Sequence, residues 1–561
     1  MPAHLRVATR ARRMRLIPKP RLGAIRSRPP LESALAGKQA IRTAVLICRT
    51  AVRVGSYDAE IPSGSSPWRI AMPPDTAHTY RAAVIGAGPG GIITAVRLRQ
   101  AGIEDFVVLE RAGGVGGTWR RNRYLGLACD IASHFYSFSF APKPDWSRPF
   151  AGQAEILAYL EDVVSTFDLR RHLCLDTSVE AARWDHEAAL WHLTTDTGET
   201  VTAQAVVASP GMFGELRYPD IEGRDRFAGT SFHAGDWPAD HSLAGERVAV
   251  IGSAASAVQL LPEVAKVAGR VHLFQRSPNW VLPKEDKPFA VEQLEQFRRS
   301  PDSVAALREE LFHRYADDPP FTKPEENAER ERLGAACIAV VEDPDVRARL
   351  TPKDPWGCHR PLFSNDYYPT FNQPHVELVT DPIIAITPSG VRTVDGTERV
   401  LDTIIYATGY ETTKFASVID FVGRDGVHLR DAWADGAQAH MGITTSGFPN
   451  LLMLYGPNTN AGSIMYMIEC QVDYILRTLH HMERDHLAWI DVRPDVMAAY
   501  NAQLQSDIEN VQAWQGGCST YYRVPSGRIV TQWPHSMARY RSLTDNPRPL
   551  DDYETHAHAH R

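Results

Sequence analysis

The sequence predicts an α/β protein in which two parallel-sheet units are interrupted by a helical insertion. Three observations predict it. Val84-Ile85-Gly86-Ala87-Gly88-Pro89-Gly90-Gly91 reads as a strand turning sharply into a helix. Val248-Ala249-Val250-Ile251-Gly252-Ser253-Ala254-Ala255-Ser256-Ala257 reads the same way. Between the second turn and the C-terminal third, residues 283–349 are charged, rich in Glu and Arg, and helical in period.

The first turn sits in a βαβ unit. Tyr80 to Ile85 is a β-branched run, Pro89 to Ala101 has helical periodicity, and Asp105 to Leu109 is a second apolar strand closed by Glu110. Each part of G-x-G-x-x-G has a physical task. Gly86 permits the turn, Gly88 lets backbone approach a pyrophosphate, and Gly91 lets helix pack on strand. Pro89 opens the helix, whose N-terminal N–H groups suit phosphate, and Glu110 can accept hydrogen bonds from a ribose. With strand, helix and acid in register, this is a Rossmann-like dinucleotide site.

The second turn departs from that pattern. Gly252-x-Ala254-x-x-Ala257 keeps the first glycine, but a methyl stands at the point of closest approach. The next strand, Arg270 to Phe274, ends in Gln275-Arg276-Ser277 rather than in an acid. An Arg there suits a 2′-phosphate, so NADPH is expected over NADH.

The chain has 561 residues, 43% hydrophobic and 23% charged, which is ordinary for a globular protein. No apolar run approaches the ~18 residues of a membrane span. Seven cysteines (Cys48, Cys129, Cys174, Cys337, Cys358, Cys470, Cys518) include no C-x-x-C pair. That argues against a disulfide framework, a zinc site or a dithiol redox centre, and a reducing, cytoplasmic setting is expected. The net charge of −7 is uneven: residues 1–71 carry 14 Lys and Arg against 3 Asp and Glu. This basic leader is read as disordered. A transit peptide, an anionic-surface binder and upstream read-through ahead of a start at Met72 are its three readings, and read-through is the simplest. No nucleic-acid partner and no metal site are expected.

Between the two turns lies Phe227-x-Gly229-x-x-x-His233-x-x-x-Trp237, followed by Pro238. Upstream of it, Gly117-Thr118-Trp119 runs through Tyr124-Leu125-Gly126 to Asp130. Downstream are Trp356-Gly357-Cys358-His359-Arg360-Pro361, Ala407-Thr408-Gly409-Tyr410, Gly456-Pro457-Asn458-Thr459-Asn460, and Gly527-Arg528 to Trp533-Pro534. Together these motifs resemble the type I Baeyer–Villiger monooxygenases of the flavin-containing monooxygenase superfamily, over residues 79 to about 545. Trp237, rather than Tyr or Phe, separates that family from N- and S-oxygenating relatives. Leu125 stands where the family has Pro, and His359 where Lys is common.

The resemblance implies two cofactors, FAD and NADPH, with O₂ and a small-molecule ketone as substrates. A peroxyflavin would attack the ketone, giving an ester or lactone. Arg360 would stabilise the developing anion, and Asp130 would orient Arg360. Thr118, Trp119, Asp130, Tyr136 and Gly409 would contact FAD. Gly252, Ser253, Ala254, Ser256, Gln259, Arg276, Ser277 and His359 would contact NADP. His233 would couple domain movement to cofactor binding and lies outside the catalytic pair. Two alternatives remain open: heteroatom oxygenation, and an uncoupled or non-catalytic FAD/NADPH-binding protein; a disulfide reductase needs a close cysteine pair near the flavin, and the sequence has none.

The implied domain plan follows the motifs. The leader is 1–78, FAD-binding chain covers 79–215 and 393–545, and NADP-binding chain covers 216–282 and 350–392. The insertion is 283–349, and 546–561 is a disordered tail carrying His556, His558 and His560.

Overall fold

The computed structural model describes residues 78–316, 319–515, 518 and 520–558. All belong to the compact unit Ser65–Arg561. Apart from His78, the basic leader lies outside the described residues, as does His560.

The first sheet has eight strands, centred on Thr79–Ile85, with Phe106–Leu109 and Leu173–Cys174 on one side and Thr200–Ala208 on the other. These pair in parallel, in the register Val84↔Val108 and Val84↔Val207. The strand Leu451–Met453 also pairs in parallel with Thr200–Ala208, and an antiparallel pair, Val179–Asp185 and Leu190–Thr195, extends the edge. Alternation along the central strand sends Ala82 and Val84 to one face and Ala83 and Ile85 to the other. Both faces are covered. The helices Pro89–Gln100 and Ile464–Arg484 lie over the first, while Trp191 and Phe421 pack on the second. That is why this run lacks a polar alternation.

The second sheet is wholly parallel, in the order Val376–Val379, Arg270–Phe274, Arg247–Ile251, Thr403–Tyr406, Thr230–His233. Here the expected plan needs correction. Thr403–Tyr406 was assigned to the returning FAD-binding chain, but it is an interior strand of this second sheet. Its residues Ile404 and Ile405 are fully buried on opposite faces. A short apolar run carries no mark of which parallel sheet it joins. The polypeptide returns to the first sheet only at Asp420–Val422.

Four helices occupy the region after Leu282: Val291–Arg299, Pro301–Ala316, Pro324–Ile338 and Pro344–Leu350. Proline opens the last of these, and Asp343 caps it by accepting from the amides of Asp345 and Val346. The helix Pro301–Ala316 is anchored on the first unit. Arg308 donates to the carbonyls of His134 and Ser137, both at 2.9 Å, and Tyr315 stacks on Phe135.

The expectation of a disordered tail also fails. Tyr553–Ala557 pairs antiparallel with Leu487–Val492, and His556 stacks on Trp489 at 5.5 Å. Tyr553 is buried, with its hydroxyl bonded to those of Thr444 and Tyr474. One buried tyrosine and an open strand edge outweigh a polar composition. Among the described residues no helix is long and apolar enough to cross a membrane.

Candidate active site

A single cavity of ≈ 3130 Å³ runs along the C-terminal edges of both sheets. Sites for drug-sized ligands occupy up to ~1,000 Å³, so this one has room for more than one large ligand. Both glycine turns open onto it.

At the first turn, Gly86 has φ +98, and a Cβ there would overlap the Ser209 carbonyl oxygen. A Cβ on Gly91 would overlap the Gly86 carbonyl, so helix and turn touch through backbone alone. Gly88 differs. A Cβ on it would meet only Gly117 Cα, at an ordinary 3.6 Å. Internal packing therefore does not demand Gly88; the space before it lies in the cavity. The helix Pro89–Gln100 has no side-chain cap, leaving its first N–H groups for an anion. Glu110 is buried, with its carboxylate accepting from Ala87 N at 2.6 Å and Ala112 N at 2.8 Å. Those two bonds hold it at the strand end and leave lone pairs for a ribose. Thr118 begins the short helix Thr118–Arg121, which lies beside the turn. Trp119 donates through Nε1 to the Tyr136 hydroxyl at 3.1 Å.

At the second turn, the helix Ala255–Val267 is likewise uncapped. Ala254 is exposed and Ala257 fully buried, so the departing methyl points into open space. Ser253 donates to the Ser277 carbonyl at 3.0 Å, which ties the turn to the end of the next strand. Arg276 is exposed on the cavity and has no ion-pair partner among the described residues. Ser256 and Gly409 also line the cavity. Gln259 does so too, but its amide is engaged elsewhere. It accepts from the Tyr124 hydroxyl at 3.0 Å and donates to the Ala128 carbonyl at 2.9 Å. It is an interdomain bridge in this structure. Gly126 docks on the same helix, with φ +77 and its Cα against the Gln259 carbonyl. Leu125 beside it is 38% exposed, which explains how the chain tolerates it in place of Pro.

Arg360 and Asp130 come together across 230 residues of sequence, with Nη2 at 2.6 Å from Oδ2. The carboxylate of Asp130 pushes the Arg360 pKa upward against the opposing effect of burial, so the guanidinium is a permanent cation. The hydroxyls of Tyr521, Tyr522 and Tyr455 act on its charge as well. Of these five residues all but Asp130 come from the last 202 residues of the chain; Tyr455 bonds Asn460, which in turn bonds Gln532. These tyrosines were not singled out in the sequence, because aromatic residues in a loop carry no spacing signal. His359 is drawn aside, with Nε2 at 3.1 Å from Asp354 Oδ2.

One expectation about cysteine is overturned here. Cys358 and Cys518, 160 residues apart, are joined by a disulfide, while Cys129, Cys174, Cys337 and Cys470 are free. Only the fold brings the pair together, so sequence spacing could not reveal it. Asp354, Cys358 and His359 present ligand-type atoms within 4.8 Å of one another, but the sulfur of Cys358 is committed to Cys518.

The segment from Phe227 to Trp237 borders the second sheet. Gly229 lies against the Asp402 carbonyl and the Phe227 ring, and Trp237 packs edge-on to Phe232 at 4.9 Å. His233 ends its strand opposite Tyr406 and accepts from Gly235 N at 2.9 Å. Burial lowers its pKa to about 4, so it is neutral at physiological pH and does not serve as a proton carrier there.

Two sheets with parallel centres that each present an uncapped helix N-terminus to one cavity define an oxidoreductase architecture for two dinucleotides. Known proteins agree. Residues 83–308 match the family described as pyridine nucleotide-disulphide oxidoreductase. A Baeyer–Villiger monooxygenase of Streptomyces coelicolor is 42% identical over 470 residues, 83% of this chain and 90% of that protein. One from Pseudomonas aeruginosa is 40% identical over 477 residues, covering 84% and 90%. The crystal structure titled OTEMO complex with FAD and NADP has a TM-score of 0.78 at 29% identity, covering 85% of this chain and 99% of that one. An open structure of cyclohexanone monooxygenase has a TM-score of 0.77 at 30% identity, covering 86% and 100%. The chain belongs to the Baeyer–Villiger monooxygenases and is an oxidoreductase of the flavoprotein monooxygenase type.

Proposed function

We propose that the protein binds FAD and NADPH and inserts one oxygen atom of O₂ beside the carbonyl of a ketone, giving an ester or lactone. The observation that carries this reading is the Arg360–Asp130 pair at 2.6 Å, opening onto the cavity shared by both glycine turns. Bound there, the two cofactors supply hydride delivery and the activation of dioxygen.

This chain's residues supply the rest. The uncapped helix N-termini at Pro89 and Ala255 receive the two pyrophosphates, and Glu110 holds the adenosine ribose of FAD. Trp119, Tyr136 and Thr118 wall the flavin side. Arg276 takes the 2′-phosphate of NADPH, with Ser253, Ser256 and Ser277 around it. Arg360 provides a fixed fork of donors where negative charge builds on oxygen during attack on the carbonyl. Asp130 holds that fork in place, acting through Arg360. Tyr455, Tyr521 and Tyr522 line the same cavity as the cation and act on its charge. The four free cysteines fit a reducing cytoplasmic setting, and the Cys358–Cys518 bridge runs against it.

The test is a panel of cyclic, linear and aryl ketones, with thioethers and amines beside them, assayed for NADPH consumption and product identity. Ester or lactone formed in proportion to NADPH is expected. Sulfoxide or N-oxide without ester would shift the reading to heteroatom oxygenation. Hydrogen peroxide as the sole product from every compound would leave only an uncoupled oxidase.

A further inference from the structure

Cys358 lies two residues before Arg360, and Cys518 three residues before Tyr521. The disulfide between them spans 160 residues of sequence and joins two walls of one cavity. One wall carries Trp356, His359 and Arg360; the other carries Trp514, Thr520, Tyr521 and Tyr522. Cys358 itself is fully buried. Arg360 pairs with Asp130 and His359 with Asp354, neither of them on the tyrosine wall. The sulfur bridge is the covalent link between the two walls, beside the packing of Phe321 against Gly357 on one and Trp514 on the other. The other described cysteines lack such a partner.

We propose that Cys358–Cys518 is a redox-modifiable tether that sets how tightly the tyrosine wall is held over Arg360, and hence how much NADPH turnover reaches oxygenated product. This rests on the reading that Arg360 works at the reacting centre. In a reducing compartment a surviving disulfide is typically a sensing or transient one. The chemistry is ordinary exchange. A dithiol reductant attacks the bridge, the S–S bond breaks, and two protons and two electrons pass to Cys358 and Cys518 as thiols. The reductant leaves as its own cyclic disulfide. In the dithiol form the covalent restraint is gone, the two walls shift against each other, and the oxygen bound for substrate escapes as hydrogen peroxide. Oxidation restores the tether and the coupling.

The holoenzyme provides the test. Alkylation under denaturing conditions without reductant should label Cys129, Cys174, Cys337 and Cys470 but neither Cys358 nor Cys518, and those two as well after dithiothreitol, with a Cys358–Cys518 peptide recovered only from the untreated sample. Dithiothreitol should lower ester per NADPH roughly 3- to 10-fold, as looser positioning of reacting groups does, with peroxide rising to match. C518S, still yellow with FAD, should sit at the reduced level with or without dithiothreitol. C337S, which removes a free cysteine, should keep the full response. Labelling of Cys358 and Cys518 without reductant, or coupling unchanged by reduction of a mapped bridge, overturns the proposal. If the ketone reading itself is wrong, the untreated enzyme makes no ester at all. The peptide map and a dithiol-dependent change in the KM for NADPH then still decide the tether.

Discussion

Arg360 is the residue on which most depends, because its neighbours leave it charged and its partner is a single carboxylate. Removing one preorganised electrostatic donor costs about 10²- to 10³-fold in kcat. Arg360→Ala is therefore expected to cut ester formation by that amount while NADPH oxidation in air persists. Parallel assays of ester and NADPH check it, and equal losses of both would place Arg360 in cofactor binding instead. Arg276 differs in kind. It has no ion-pair partner among the described residues and is exposed on the cavity, as a group waiting for an anion should be. A hydrogen bond to a charged group contributes about 1.5–3 kcal/mol, so Arg276→Ala should raise the KM for NADPH roughly 10- to 100-fold and leave that for NADH unchanged. His359 is a weaker case, since Asp354 already holds its Nε2 at 3.1 Å. His359→Lys should lower the KM for NADPH, because an ammonium on a flexible stem offers a charge to phosphate. An unchanged KM would mean that the side chain serves Asp354 alone.

At the scale of elements, the two glycine turns were legible in the sequence because backbone geometry forces residue type. A side chain at Gly86 or Gly91 would overlap a carbonyl oxygen, and the strand and helix periods on either side agree with them. The strand Thr403–Tyr406 and the final strand Tyr553–Ala557 were not legible in that way. Their partners are set by tertiary pairing, which a short run of β-branched or polar residues does not encode. The docking of the Tyr124–Gly126 segment on the helix Ala255–Val267 was only half legible. Its glycine stands out, but the Gln259 amide that holds Tyr124 and Ala128 had been read as a cofactor contact. Gly126→Ala tests that joint. A left-handed φ together with contact against the Gln259 carbonyl should cost about 1–3 kcal/mol. The expected result is a lower unfolding midpoint and a weaker NADPH affinity with FAD still bound. Loss of FAD alone would show that the segment serves the first sheet.

For the molecule as a whole, buried ionisable groups set how the fold responds to acid. His233 and His134 are both buried, and burial lowers each pKa to about 4 from an ordinary 6.5. The unfolded chain binds their protons first as pH falls, so stability drops between about pH 6.5 and pH 4 and then levels off. Burial acts oppositely on Asp491, raised to about 6, and on Glu469, also raised; the native state takes up their protons first, which restores stability over part of the same range. The observed acid limb is the balance of these groups, and substitution can separate one of them. The groups that act on His233 are the Gly409 backbone, whose hydrogen bond favours its protonation, Arg121, which disfavours it, and Asp236, which favours it. All are weaker than the desolvation. His233→Asn preserves an acceptor for the Gly235 amide and removes the titration. The stability difference between pH 7 and pH 4.5, measured by denaturant unfolding, should shrink by about 2–3 kcal/mol in this variant. A difference equal to that of the parent would mean that His233 is protonated inside the fold. The segment that joins the two sheets would then carry a charge, and its role as a neutral packing joint would have to be given up.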